Sequence, residues 1–128
     1  MFNKIKLWLW IILAVLALGW VGLYFGKPTP SNLDGFAQCL AAKNITMYGA
    51  YWCSHCQAQK AIFGEAFRFV NYVECTAEAK KCLDNGVSGY PTWILGDGTR
   101  LEGERELAEL SRVTGCLLPE ENNPNQNN

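Results

Sequence analysis

From Leu7 to Phe25 the chain reads LWLWIILAVLALGWVGLYF, nineteen residues without a charged side chain. Such a run must be buried in a core, inserted in a membrane or cut away. As a helix at about 1.5 Å per residue it reaches about 28 Å, close to the ~30 Å of a bilayer's hydrocarbon. Trp8, Trp10, Trp20 and Tyr24 lie towards its two ends, where amphipathic rings prefer the membrane interface. The run reads as an uncleaved membrane anchor. A cleaved signal peptide is the competing reading, with Ala17-Leu18-Gly19 as its small-residue site. Against it, the apolar run continues through Val21, Leu23 and Phe25, which an exported mature terminus does not need. A buried core helix is the third reading. Lys4 and Lys6 precede the span and only Lys27 follows closely, so the N-terminus is expected in the cytoplasm and the remainder outside it.

The whole chain has 128 residues, so the part beyond the apolar run has room for one domain. The net charge is -1, which argues against nucleic acid or an acidic substrate. Six cysteines in a short exported region fit an oxidising compartment, a periplasm or an equivalent lumen. Residues 1–26 are read as a cytoplasmic stub and anchor. Residues 27–32 (KPTPSN) are a linker extended by two prolines. Residues 33–118 form the folded domain. Residues 119–128 (PEENNPNQNN) have no apolar side chain and are expected to be disordered.

Within the domain, Leu33, Phe36, Ala37, Leu40 and Ala41 recur at helical spacing after Ser31 or Asn32 as N-cap. Ile45 to Ala50 is apolar and rich in strand formers. Ala58, Ile62 and Ala66 make a second helical stripe, with Phe63 and Phe67 beside it. Phe69 to Glu74 alternates as a strand does, and Thr76 to Asn85 is helix-permissive with Gly86 as its stop. Tyr90 to Leu95 is a strand opening at a proline. Asp97-Gly98 is a hairpin turn leading into Thr99 to Leu101. Glu104 to Gly115 closes the domain as a helix carrying Leu107, Leu110 and Val113. The order α-β-α-β-α-β-β-α predicts an α/β fold: a mixed central sheet with helices on both faces.

Cys53 and Cys56 sit in Ala50-Tyr51-Trp52-Cys53-Ser54-His55-Cys56, where the first strand gives way to a helix. A helix N-terminus offers partial positive charge and unpaired N–H groups, and both favour a thiolate. A protonated His55 lowers a thiol pKa further. Cys56 lies one turn on, on the same face, within reach of a disulfide with Cys53. Cys53 is then the sulfur that attacks or is attacked, and Cys56 the more buried resolving thiol. Zinc is a weaker reading, because four ligands are needed and His55 is the only histidine. A purely structural staple is another, but a loop this short closes little chain entropy.

Trp52-Cys53-Ser54-His55-Cys56, followed about 35 residues later by Gly89-Tyr90-Pro91-Thr92, resembles the W-C-x-x-C and cis-proline loop of the thioredoxin fold. The likeness covers essentially all of residues 33–118. The wording MYGAYWCSHCQAQK, NYVEC and GYPTW is closest to the thioredoxin-like domain that accompanies vitamin K epoxide reductase homologues. The resemblance implies a cis Tyr90–Pro91 bond facing the sulfurs, with the Tyr90 backbone free to pair with an extended substrate. It also implies a second, non-catalytic disulfide, Cys75–Cys82. Cys39 and Cys116 are then left over, either to pair by elimination or to remain free and buried, since four cysteines allow three connectivities. Cys75–Cys82 as an electron relay is the alternative to a staple. Trp52 and Tyr90, with Tyr51, flank the sulfurs as an apolar rim for a client.

The sequence departs from the thioredoxin pattern twice. Thioredoxins bury an aspartate six residues before the first cysteine, where this chain has Met47. That leaves no obvious carboxylate to take the buried thiol's proton. His55 in the third place of the motif is similar to the oxidising members of the fold, in which a stabilised reduced form makes a stronger oxidant. The resemblance therefore implies an anchored thiol–disulfide oxidoreductase that needs no cofactor. It would oxidise reduced client proteins and be reoxidised by a membrane-embedded, quinone-coupled epoxide-reductase homologue. The rivals are an exported reductase or isomerase fed by a transmembrane electron carrier, and a non-catalytic binding module.

Overall fold

The computed structural model describes residues 2–25 and 29–119. Most of the tail expected at 119–128, and residues 27 and 28 of the linker, lie outside these. Helix α1 runs Phe2–Phe25. It is long and apolar enough to cross a membrane, and none of Asn3–Trp20 is buried in the protein. A signal segment fits the same description.

The domain continues with α2 (Asp34–Ala42), β1 (Thr46–Gly49) and α3 (Ser54–Phe63), which tightens into a 3-10 turn over Gly64–Phe69. Then come β2 (Asn71–Glu74), α4 (Ala79–Asp84), β3 (Thr92–Ile94), β4 (Arg100–Glu102) and α5 (Leu107–Thr114). The sheet order is β2-β1-β3-β4. Strands β1 and β2 are parallel, and the β1–β3 and β3–β4 pairs are antiparallel. This is the expected mixed sheet in the expected order of elements.

Alternation along the strands divides the core. Met47 pairs with Tyr72 on one side and Trp93 on the other. These face Phe36 and Leu40 of α2, Cys56 and Phe63 of α3, and Leu110 of α5. Tyr48 and Val73 point the other way and meet Cys82 of α4 with Val87. Helices therefore cover both faces, three on one and α4 on the other. Rings join the larger side: Phe63 stacks on Phe36 at 6.0 Å and leans on Trp93 at 5.9 Å.

Three local expectations change. The N-cap position of α2 is Leu33, which makes no side-chain cap. Ser31 instead folds the preceding turn, its Oγ accepting from Leu33 N at 3.2 Å and its carbonyl from Asp34 N at 3.1 Å. The buried stripe of α3 is Cys56, Gln59 and Phe63, not Ala58 and Ile62, and Ile62 is 43 % exposed. Cys56 faces the sheet, which fixes the helix's rotation. Gly64 at φ +54 ends the α-helix, and the buried stripe continues through the 3-10 turn to Ala66, as expected. In α5, Thr114 is buried in place of Val113. Its hydroxyl bonds back to Leu110 O at 2.6 Å, so a polar side chain sits there satisfied.

Candidate functional site

Strand β1 ends at Gly49, and the chain turns through Tyr51 and Trp52 into α3. That turn is held from two directions. Glu74 Oε1 accepts from Tyr51 N at 3.1 Å, and Gln57 Nε2 donates to Tyr51 O at 2.8 Å. Tyr51 and Trp52 remain 68 % and 61 % exposed, and Trp52 meets Tyr90 edge-on at 6.1 Å.

Cys53 occupies the N-cap of α3 in an extended conformation, and its Sγ accepts from Cys56 N at 3.2 Å. The sulfur therefore takes one of the N–H groups that a helix start leaves open. Cys53 and Cys56 are both free thiols. Cys53 is 7 % exposed and Cys56 fully enclosed. Across the cleft the Tyr90–Pro91 bond is cis. The Cys53 thiol donates to Tyr90 O at 3.7 Å, so that backbone lies directly against the outer sulfur. Thr92 secures the loop by donating from its hydroxyl to Gly89 O at 2.8 Å. His55 is exposed, its Nδ1 in contact with Glu104 Oε1.

Burial, together with its hydrogen bond to Cys53, pushes the Cys56 thiol up to about 12. Its pocket exists because Gly49 has no side chain. A Cβ there would stand 2.9 Å from Cys56 Sγ and 3.3 Å from the Tyr72 hydroxyl. Tyr72 donates to Glu74 Oε2 at 2.6 Å. Burial and that bond raise its phenol. Burial alone would raise the Glu74 carboxyl, but hydrogen bonds from Tyr72, Thr76 and the Tyr51 N–H hold it below its usual range. Glu74, on β2, is the carboxylate that binds the Tyr72 hydroxyl bordering this pocket.

The other cysteines form Cys39–Cys116 (S–S 2.05 Å), linking α2 to the end of α5, and Cys75–Cys82 (2.00 Å), linking β2 to α4. Among the described residues no three His, Cys, Asp or Glu side chains gather as metal ligands.

Sequence reasoning passed over Gly49, Gln59, Tyr72, Glu74 and Glu104. Three carried a signal: a glycine inside a strand, Gly49, marks a close approach, and Tyr72 and Glu74 share a strand face at i, i+2. Gln59 carried none. Its buried amide accepts from Arg105 N at 2.6 Å and from Trp93 Nε1 at 3.4 Å, and donates to Arg105 O at 3.0 Å. It thereby ties α3 to the stretch after β4.

No family model matches the chain. It is 43 % identical over 116 aligned residues, 80 % of its own length, to the thiol-disulfide oxidoreductase LTO1 of Arabidopsis thaliana. It is 33 % identical over 101 residues, 69 % of its length, to the thioredoxin domain-containing protein 5 homolog of Drosophila melanogaster. The chain spans 31 % and 24 % of those two relatives. With the mixed sheet, the helix-capping cysteine and the cis-proline loop opposite it, these likenesses identify the fold as thioredoxin-like.

Proposed function

We propose that the chain is a thiol–disulfide oxidoreductase that exchanges disulfides with client polypeptides through Cys53 and Cys56. One observation carries the reading: two free thiols at the start of α3, one fully enclosed and the other against the Tyr90 carbonyl of the cis-proline loop. The name of the Arabidopsis relative supports it.

In the proposed cycle a client thiolate attacks Cys53 Sγ of the oxidised pair. The Cys53–Cys56 bond breaks and Cys56 leaves as a thiolate. A second client thiolate then attacks the client's sulfur in the mixed disulfide and releases reduced Cys53, leaving the client oxidised. Trp52 and Tyr90 form the apolar rim that receives the client. Pro91 presents the Tyr90 backbone for pairing with an extended segment, and His55 stands in the first turn of α3, two residues after the attacked sulfur of Cys53.

Helix α1 holds the domain at a membrane, on the non-cytoplasmic side, where the two further disulfides persist. Disulfide formation in exported proteins is the proposed direction. The pair is reoxidised by a quinone-coupled, epoxide-reductase-like membrane protein, whose effective concentration the anchor raises.

The test equilibrates the full chain, in detergent, with glutathione buffers. Cys53 and Cys56 are expected to interconvert between dithiol and disulfide, and Cys53→Ala to abolish exchange. A pair that never oxidises, or a Cys53→Ala variant that still exchanges, overturns the reading. A potential near about -120 to -180 mV supports the disulfide donor, and one near about -270 mV reverses the electron flow to a reductase.

A further inference from the structure

Lys60 follows Cys56 by one helical turn, so both project from one face of α3. Its ammonium lies 3.7 Å from the centre of the Tyr72 ring and 5.4 Å from that of Phe67. Among the described residues no carboxylate stands within ion-pair distance of it. The same Tyr72 ring closes on Cys56. A Cβ on Gly49 would touch both, Sγ at 2.9 Å and Tyr72 Cε2 at 3.2 Å. One aromatic ring therefore carries a cation on its face and borders the enclosed thiol.

A lysine that finds aromatic faces and no carboxylate is a cation held ready for an anion. Two ring faces partly replace its lost hydration. The anion available beside it is transient, the thiolate that Cys56 becomes. We propose that Lys60, seated on the Tyr72 ring, is the cation that stabilises the Cys56 thiolate whenever the Cys53–Cys56 bond opens or closes, and that Glu74 holds the seat through its bond to the Tyr72 hydroxyl. The proposal rests on the exchange activity above and deepens it. Lys60 is a positioning residue here, acting through Cys56.

The role is the same for both directions of electron flow. When a client thiolate attacks Cys53, the electron pair of the broken S–S bond goes to Cys56, and a better-stabilised leaving thiolate leaves faster. In reverse, Cys56 loses its proton to solvent and attacks Cys53 Sγ of the mixed disulfide. A Cys53–Cys56 bond forms and the client departs as its thiolate.

The ionisable groups around Cys56 are few. Helix α3 brings Cys53 and Lys60, β2 brings Tyr72 and Glu74, and the cis-proline loop brings Tyr90. Strands β1 and β3 contribute Met47, Gly49 and Trp93, none of which titrates. Burial and then Cys53 oppose ionisation of Cys56; the Ala50 backbone favours it, and Lys60 is the one cation that does so. Glu74 is already engaged by Tyr72, Thr76 and the Tyr51 N–H.

The experiment mixes the reduced full chain, in detergent micelles, with oxidised glutathione. It tracks, from acid to alkaline pH, the step in which Cys56 displaces glutathione from Cys53. Lys60→Met is expected to move the pH profile of that step about one unit to the alkaline side and to slow it about tenfold at neutral pH. Lys60→Arg restores most of the rate. Tyr72→Leu, which removes the seat and keeps the ammonium, shifts the profile the same way by less. It carries the test where Lys60→Met does not fold. A Lys60→Met or Tyr72→Leu protein that resolves the mixed disulfide with the wild-type profile overturns the inference and leaves the exchange activity standing. A wild-type chain that forms no mixed disulfide overturns the activity itself.

Discussion

Four of the six cysteines are bonded in two pairs and two stand free, yet burial does not separate the groups. Cys56 and Cys116 are both fully enclosed, and Cys53, Cys75 and Cys82 are each less than a tenth exposed. What differs is the length of chain that each pair closes and what stands next to it. Cys39–Cys116 joins residues 77 apart and Cys75–Cys82 residues 7 apart. In the chain-entropy model such loops contribute about 4.5 and about 2.5 kcal/mol, and a CxxC loop about 2. The short loop makes opening and closing cheap in conformational terms. Its neighbours differ too: a helix N-terminus, a backbone acceptor at Tyr90 and two exposed aromatics, where the staple Cys75–Cys82 has Tyr48, Val73 and Val87. The same chemical group is a staple in one setting and a reagent in the other.

The comparison breaks most sharply by exchanging the two losses. Replacing Cys39 and Cys116 together by serine is expected to lower unfolding stability by about 4–5 kcal/mol, while the fraction that stays folded exchanges disulfides at the wild-type rate. Cys53→Ser does the reverse: exchange is lost and stability, measured against the reduced wild type, moves by less than about 1 kcal/mol. Urea unfolding and glutathione exchange on the same samples check both arms. A staple mutant that is stable but inactive would place Cys39–Cys116 in the redox chemistry.

The next largest effect is set by pH. The Cys56 thiol is raised from 9.0 to about 12 by burial and its bond to Cys53. A raised acid gives stability that is complete below its unfolded value and drains as pH climbs to the folded one. The reduced protein should therefore lose stability from pH 9 upward, through about 12. In the oxidised protein Cys56 cannot titrate, so that loss is absent. Tyr72 is raised as well, in both redox forms, so the difference between reduced and oxidised unfolding curves isolates the Cys53–Cys56 pair. Parallel curves across the alkaline range would contradict this.

How much of the fold and the site is legible in the sequence depends on the range of the interactions. The order of elements, the mixed sheet and the pair at Cys53 and Cys56 rest on local patterning and turn residues, which a single chain displays directly. The rotation of α3 does not. Ala58, Ile62 and Ala66 look like its buried stripe by composition, and Ala66 is indeed buried, but the sheet contact of Cys56 turns the helix so that Gln59 goes inside, Ala58 faces out and Ile62 lies half out. A glutamine reads as surface until Arg105 and Trp93 are known to meet it. Glu104 is invisible for the same reason: it lies 49 residues from His55, and no periodicity announces it.

Two substitutions on the floor of the site test that long-range layer. Gly49→Ala puts a methyl 2.9 Å from Cys56 Sγ and 3.2 Å from the Tyr72 ring. Overpacking of this kind costs about 1–3 kcal/mol. Gln59→Leu keeps the volume but leaves the Arg105 backbone and the Trp93 indole N–H without their partner, a loss of about 1–3 kcal/mol. Chemical denaturation reads both, and a Gly49→Ala protein as stable as wild type would mean that the thiol pocket is looser than its geometry.

The smallest effect decides on which side of the comparison His55 falls. Its imidazole and the Glu104 carboxylate are 72 % and 44 % exposed, and an exposed ion pair contributes about 0–1 kcal/mol and weakens in salt. Glu104→Gln should therefore leave unfolding stability within about 1 kcal/mol of wild type, with the difference vanishing at high salt. The pair also ties the first turn of α3, one residue before Cys56, to the segment between β4 and α5. If that tie only fixes a surface loop, the variant exchanges disulfides at the wild-type rate, and His55 belongs with the scaffold. If instead exchange slows several-fold while stability holds, orientation of the imidazole by Glu104 is part of the sulfur chemistry. The reagent pair then differs from the staples in one more respect: an imidazole held in place beside it from across the fold.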